Sequence, residues 1–192
     1  MLARGVTNLS DAYSGRLFTF AGGRDGLWRV VLNRPVSGEP LASVDRLAVL
    51  MGDARVEARW LLRGVTSYER YVTADEKRSL LAAQPPIGRP EATCAALIPI
   101  RKSAEWWQLP QDARRAVLEE SSHHIATGLK YLPAIARRLH HGHDLGEPFD
   151  FLTWFEFAPR DRNAFEDLVG ALRATEEWQY VEREVDLRLE RG

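Results

Sequence analysis

The chain is poor in the residues that announce most simple chemistries. It has a single cysteine, Cys94, in 192 residues. No disulfide can form within it, which fits a reducing compartment. No apolar run approaches the roughly 20 residues that span a bilayer. The opening MLARGVTNLSDAYSGRLF has no apolar core of signal-peptide type. Neither charge sign dominates: 26 Lys and Arg face 27 Asp and Glu, for a net charge of -1. That balance gives no support for a nucleic-acid or acidic-polymer partner. P-loop, GxSxG and HExxH motifs are absent, as is a GxGxxG following a strand. These absences describe a soluble, cytoplasmic, globular protein. A hydrophobic content of 45% is enough for a substantial core.

Histidine is unevenly placed. All five lie between His123 and His143, in SSHHIATGLKYLPAIARRLHHGH. Imidazole suits metal or haem ligation and proton transfer near neutral pH. The stretch is therefore the first place to look for a site.

Periodicity gives the organisation. Residues 16–33 read as two strands around GGRDG, and 34–54 as irregular. Val56, Ala58, Trp60 and Leu62 alternate with mostly charged residues, a strand continuing loosely towards Tyr71. Thr73 and Glu76 form a capping-box pattern before a helix to about Ala83. Cys94–Ile100 reads as a strand with pairing restricted at Pro99. A helix follows Pro110 and runs into the His123 region. Pro133 favours extended chain from about Leu132 to His141. Phe149, Phe151, Thr153, Phe155 and Phe157 share one strand parity. Asn163 and Glu166 form a second capping-box pattern before AFEDLVGALRA. Val181, Val185, Leu187 and Leu189 alternate with charged residues, a half-buried strand.

The order strand, helix, strand, strand, helix, strand is ferredoxin-like, an α+β arrangement with an antiparallel sheet and two helices on one face. Residues 91–192 form this half, and 1–90 a truncated version of it. A second sheet could cover the other face, leaving room for a ligand between.

Several side chains stand out, each with an ordinary reading beside the functional one. Arg137 shares strand parity with Ile135 and Leu139. A guanidinium on that side needs a carboxylate (Asp150, Glu156 or Glu182) or a cavity that receives an anion. His123 and His124 end a helix, where capping or surface roles are usual. His140, His141 and His143 lie in a turn and lack the partners of a closed zinc site. Trp106 and Trp107 suit core or interface. Lys102 and the Glu176–Glu177 pair read by default as solvated charges.

The run WWQLPQDARRAVLEESSHHIATGLKYLPAIARRLHHGHDLGEPFDFLTWFEF resembles the haem-binding half of chlorite dismutases, nearest their shorter, dimeric branch. RGVTSYERYV, RPEATCAALIPIRKSAEWW and LRATEEWQYVEREVDLRL extend the likeness over roughly residues 16–190. The resemblance implies a dimeric α+β barrel with helices outside, binding haem b. It implies that His124 is the axial iron ligand, with His123 as its neighbour. Glu177 would accept the proximal N–H of that imidazole, and Arg137 would be the distal arginine. Lys102 and Trp106 would belong to the proximal network and propionate region, with Tyr71 a further propionate-side candidate. The implied activity is decomposition of chlorite, a small anion, to chloride and O2 through a ferryl species and recombination with hypochlorite. Related haem proteins without the arginine are typically poor chlorite converters, and some decarboxylate coproporphyrin-type haem instead. The alternatives are such a decarboxylase and a haem-binding or sensor protein of the same superfamily.

Overall fold

The computed structural model describes residues 16–66 and 71–192. The N-terminal stretch and the strand continuation at 67–70 lie outside these. Eight antiparallel strands form a closed barrel in the order β1-β3-β2-β8-β5-β7-β6-β4. They are β1 (Leu17–Gly23), β2 (Trp28–Ser37), β3 (Arg46–Met51), β4 (Trp60–Val65), β5 (Cys94–Lys102), β6 (Ala136–His141), β7 (Phe151–Phe157) and β8 (Val181–Arg191). Among the described residues five α-helices accompany them: α1 (Ala74–Ala83), α2 (Ala104–Gln108), α3 (Gln111–Arg115), α4 (His124–Lys130) and α5 (Arg162–Arg173). The two halves of the barrel repeat one spatial order. β4-β1-β3-β2 in the first matches β8-β5-β7-β6 in the second.

Strand parity divides the residues between lumen and exterior. Leu97, Leu152, Trp154, Val185, Leu187 and Leu189 point inward and pack with Phe20, Trp28, Leu47 and Leu62. The lumen is largely filled by side chains, with Trp28 and Trp154 edge to face at 5.4 Å. The room expected between two sheets is therefore filled with side chains. Ala96, Ile98, Phe155 and Phe157 point outward and pack against Phe165, Leu168, Val169 and Leu172 of α5. Pro99 is tolerated in a central strand because the ladder from β5 to β8 passes from Leu97 to Ile100 without it.

Four sequence expectations need correction. Residues 34–54 are not irregular throughout: β2 runs to Ser37, and RLAVLM forms β3 against β1. Its apolar residues are consecutive, so alternation did not reveal it. Strand β4 begins only at Trp60, leaving Val56 and Ala58 outside it. The capping box at Thr73 is present, but α5 starts at Arg162 with no side-chain cap, so Asn163 and Glu166 form none. β8 is buried on both faces. Glu184 and Asp186 are fully buried beneath α5, where Arg173 and Arg188 pair with them. Alternation identified the two faces of this strand but not the arginines that cover one of them.

His140 and His141 also depart from expectation. They are buried in β6 rather than placed in a polar turn. His140 sits edge-on between Phe18 and Phe20, each at 5.0 Å, with Nδ1 3.1 Å from the Leu152 carbonyl. Burial pushes its imidazole down to about 4, against the opposing pull of that carbonyl. Between this value and the ordinary 6.5 the unfolded chain binds a proton that the folded chain refuses. Stability is therefore full above pH 6.5 and falls as pH drops towards 4. The loss from this group is about 3 kcal/mol. Urea unfolding of the parent and of His140→Gln across this window checks it. The variant should lose that part of the pH dependence, and an unchanged slope would clear His140 of the effect.

Candidate haem site

A cavity of about 480 Å³ opens between the outer face of β5, β6 and β7 and the helices. That volume suits a cofactor. Its floor follows from register. Arg137 pairs with Phe155, Leu139 with Thr153, and His141 with Phe151, while Ile98 and Ile100 continue the rows on β5. All of these line the cavity. The side predicted to hold Arg137 is thus a half-open pocket, not a closed core.

The helical wall is built around one break. Helix α3 leads into a π-helical turn, Ala116–Ser121, and His123 then adopts a left-handed conformation with φ 50°. A new helix starts at His124. His123 and His124 therefore do not end one long helix, as the sequence suggested. His124 occupies the first turn of α4 and faces the cavity, while His123 is exposed.

The contacts of His124 define the site. Its Nδ1 lies 2.6 Å from Glu177 Oε2. Glu177 stands in a 3₁₀ turn, Glu176–Tyr180, before β8. Its other oxygen accepts from Lys102 Nζ at 2.8 Å, and Lys102 also donates to the Glu177 carbonyl at 3.2 Å. Both residues are about 5% exposed, so neither is the solvated charge its sequence context suggested. Lys102 Nζ lies 4.6 Å from the centre of the Trp106 ring. Burial opposes the charge on Glu177. The His124 imidazole and the Lys102 ammonium outweigh it and hold the carboxyl down at about 2. Burial pushes the Lys102 ammonium below its usual range, against the pull of Glu177.

All six residues singled out from the sequence, Tyr71, Lys102, Trp106, His124, Arg137 and Glu177, line this one cavity. Trp106 is buried, and its indole N–H has no partner among the described residues. A carboxylate of a bound group would satisfy it. Tyr71 stands edge-on to Trp106 at 6.5 Å and is gripped by Arg114 at its hydroxyl and Arg115 at its carbonyl. The Arg137 guanidinium lies against Gly128, where an added Cβ would sit 3.0 Å from Nη1. Asp150, Glu156 and Glu182 each have other partners. Asp150 accepts from His143, Trp107 and the Lys102 backbone, Glu156 from Gly88 and Trp154, and Glu182 pairs with Arg101. No cluster of metal-ligating side chains occurs among the described residues, the HHGH segment included.

Sequence reasoning missed four contributors. Gln84 lines the cavity and donates to the Arg137 carbonyl. Trp178 stacks parallel to His124 with ring centres 6.5 Å apart, its indole held by Glu184 at 2.8 Å. Ser122 accepts from the Glu177 backbone N–H at 2.9 Å. Glu119 is buried against the start of α4. Their partners lie far along the chain or depend on the helix break, so no local pattern marks them.

These residues suit haem. One imidazole has Nδ1 tied to a carboxylate, leaving Nε2 to ligate, and the walls are apolar. Comparison with known proteins agrees. The model of the chlorite dismutase family matches residues 14–189. A chlorite dismutase from Ideonella dechloratans is 31% identical over 126 residues, which is 62% of this chain but only 40% of that protein. The crystal structure of dimeric chlorite dismutases from Nitrobacter winogradskyi superposes with a TM-score of 0.86 at 58% identity. That match covers 91% of this chain and 99% of the other. A chlorite dismutase from Candidatus Nitrospira defluvii, at 23% identity and a TM-score of 0.65 over 93% and 92% of the two chains, shares the fold. The chain belongs to the chlorite dismutase family.

Proposed function

We propose that this chain is a haem b enzyme that converts chlorite to chloride and O2. The observation that carries the proposal is the buried His124–Glu177–Lys102 chain at the wall of a cavity that Arg137 also lines. Haem bound here would supply the oxygen-atom acceptor and donor through which chlorite loses one oxygen and the resulting hypochlorite takes it back, leaving chloride and O2. The residues of the chain do the rest. His124 would hold iron through Nε2. Glu177 fixes the Nδ1–H tautomer and makes the imidazole a stronger donor. Lys102 neutralises Glu177 and keeps it oriented. Trp106 and Tyr71 would receive the propionates. Arg137 attracts the anion and retains the oxyanion within the pocket until it recombines. The two halves of the barrel, 1–90 and 91–192, are read as two ferredoxin-like units, the first truncated. The working assembly is a homodimer, as in the Nitrobacter relative.

Four outcomes test this reading. The haem-loaded protein should evolve O2 from chlorite, measured with an oxygen electrode. A haem-replete protein with Arg137 intact that makes none would end the proposal. His124→Ala should lose the Soret band while His123→Ala keeps it, and the reverse pattern would move the ligand by one residue. Arg137→Ala should retain haem yet lower kcat by about 10²-fold, with hypochlorite appearing in a chlorination assay. Glu177→Ala strands the buried Lys102 ammonium. It should cost the apoprotein about 3 kcal/mol in denaturant unfolding, and a loss below about 1 kcal/mol would show that the pair is not a buried ionic one.

A further inference from the structure

We propose that Glu119 is a positioning residue for the iron ligand, acting through the helix that carries it. The proposal rests on His124 as that ligand. The first turn of α4 lacks an ordinary cap, because His123 takes the left-handed conformation and offers no side-chain acceptor. The first N–H groups of a helix need acceptors, and a side chain at the N-cap usually supplies one. Here Glu119 supplies two from one turn upstream. Its Oε2 accepts from the Ile125 N–H at 2.5 Å and its Oε1 from the Ala126 N–H at 3.1 Å. The Glu119 carbonyl accepts from the His123 N–H at 2.9 Å. The side chain is only 9% exposed, so these bonds face little competition from water.

The grip falls on the two residues that directly follow His124. Rotation of α4 about its own axis is the motion this clamp resists. An imidazole nitrogen about 6 Å from a helix axis moves by about 1 Å for each 10° of rotation. That is enough to break a 2.6 Å contact such as His124 Nδ1 to Glu177 Oε2. Three residues after Glu119, Ser122 accepts from the Glu177 backbone N–H. The segment Glu119–Ser122 therefore places both members of the pair, the helix through one carboxylate and the 3₁₀ turn through one hydroxyl. A simple cap would stabilise α4. This one also sets the distance on which the basicity of the ligand depends.

The experiment uses the full chain loaded with haem, reduced, with the iron–histidine stretch read by resonance Raman and haem loss timed by transfer to an acceptor globin. Glu119→Ala should lower the stretching frequency and speed haem loss about tenfold, at the lower end of what outer ligand partners contribute. Glu119→Gln keeps one acceptor oxygen and should fall between, and it decides the matter if the alanine variant does not fold. Thr73→Ala, which removes the cap of α1, should lower the melting temperature and leave both readings unchanged. If the Glu119 variants only melt earlier while stretch and haem loss stay at parent values, Glu119 is an ordinary cap and the proposal is overturned. If His124→Ala retains the parent stretch, the ligand reading falls and takes this proposal with it.

Discussion

One buried carboxylate holds the candidate site together. Glu177 is drawn on by an imidazole at one oxygen and an ammonium at the other, out of reach of water. Removing ionic groups from water costs several kcal/mol each unless their partners are well placed. The surrounding structure provides that placement. β5 ends at Lys102, the 3₁₀ turn before β8 presents Glu177, and the break at His123 turns α4 so that His124 meets it. Three separate elements converge on one side chain, and misplacing any of them would strand a charge.

The barrel makes such convergence feasible. Its lumen is packed with aromatic and aliphatic side chains, so the fold does not depend on the site for its core. The cavity is displaced to the outside, where a sheet of fixed register faces helices whose orientation depends on a few polar contacts. A second ionic cluster lies nearby beneath α5. Glu184 there receives Arg173 and also holds the Trp178 indole against the His124 side of the pocket. The two buried ionic groups are thus joined through Trp178.

How much of this was legible in the sequence varies with the range of the interaction. The parity of Phe151–Phe157 and of Val181–Leu189 placed two strands correctly, and the capping box at Thr73 placed one helix. The parity of Arg137 put it on the correct face. The resemblance selected the six residues that share one cavity. What escaped was non-local. Lys102 and Glu177 stand 75 positions apart, and each looked like a surface charge on its own. The left-handed turn at His123 has no signature in a histidine. The run RLAVLM lacks alternation, so it did not read as a strand at all.

Among the described residues, β4 meets β6 at the pair Val65 and His141. Beyond it, the β6 side is fastened by the segment after α1. Gln84 donates to the Arg137 carbonyl, Arg89 reaches the carbonyls of Pro133 and Ala134 just before β6, and the Gly88 N–H donates to Glu156. A backbone ladder yields as a unit, whereas contacts made largely by side chains release one at a time. At Arg137, β6 is therefore woven to β7 by its ladder and stitched to the segment after α1 by side chains, so the cavity floor is fixed by backbone along one edge and by single contacts along the other.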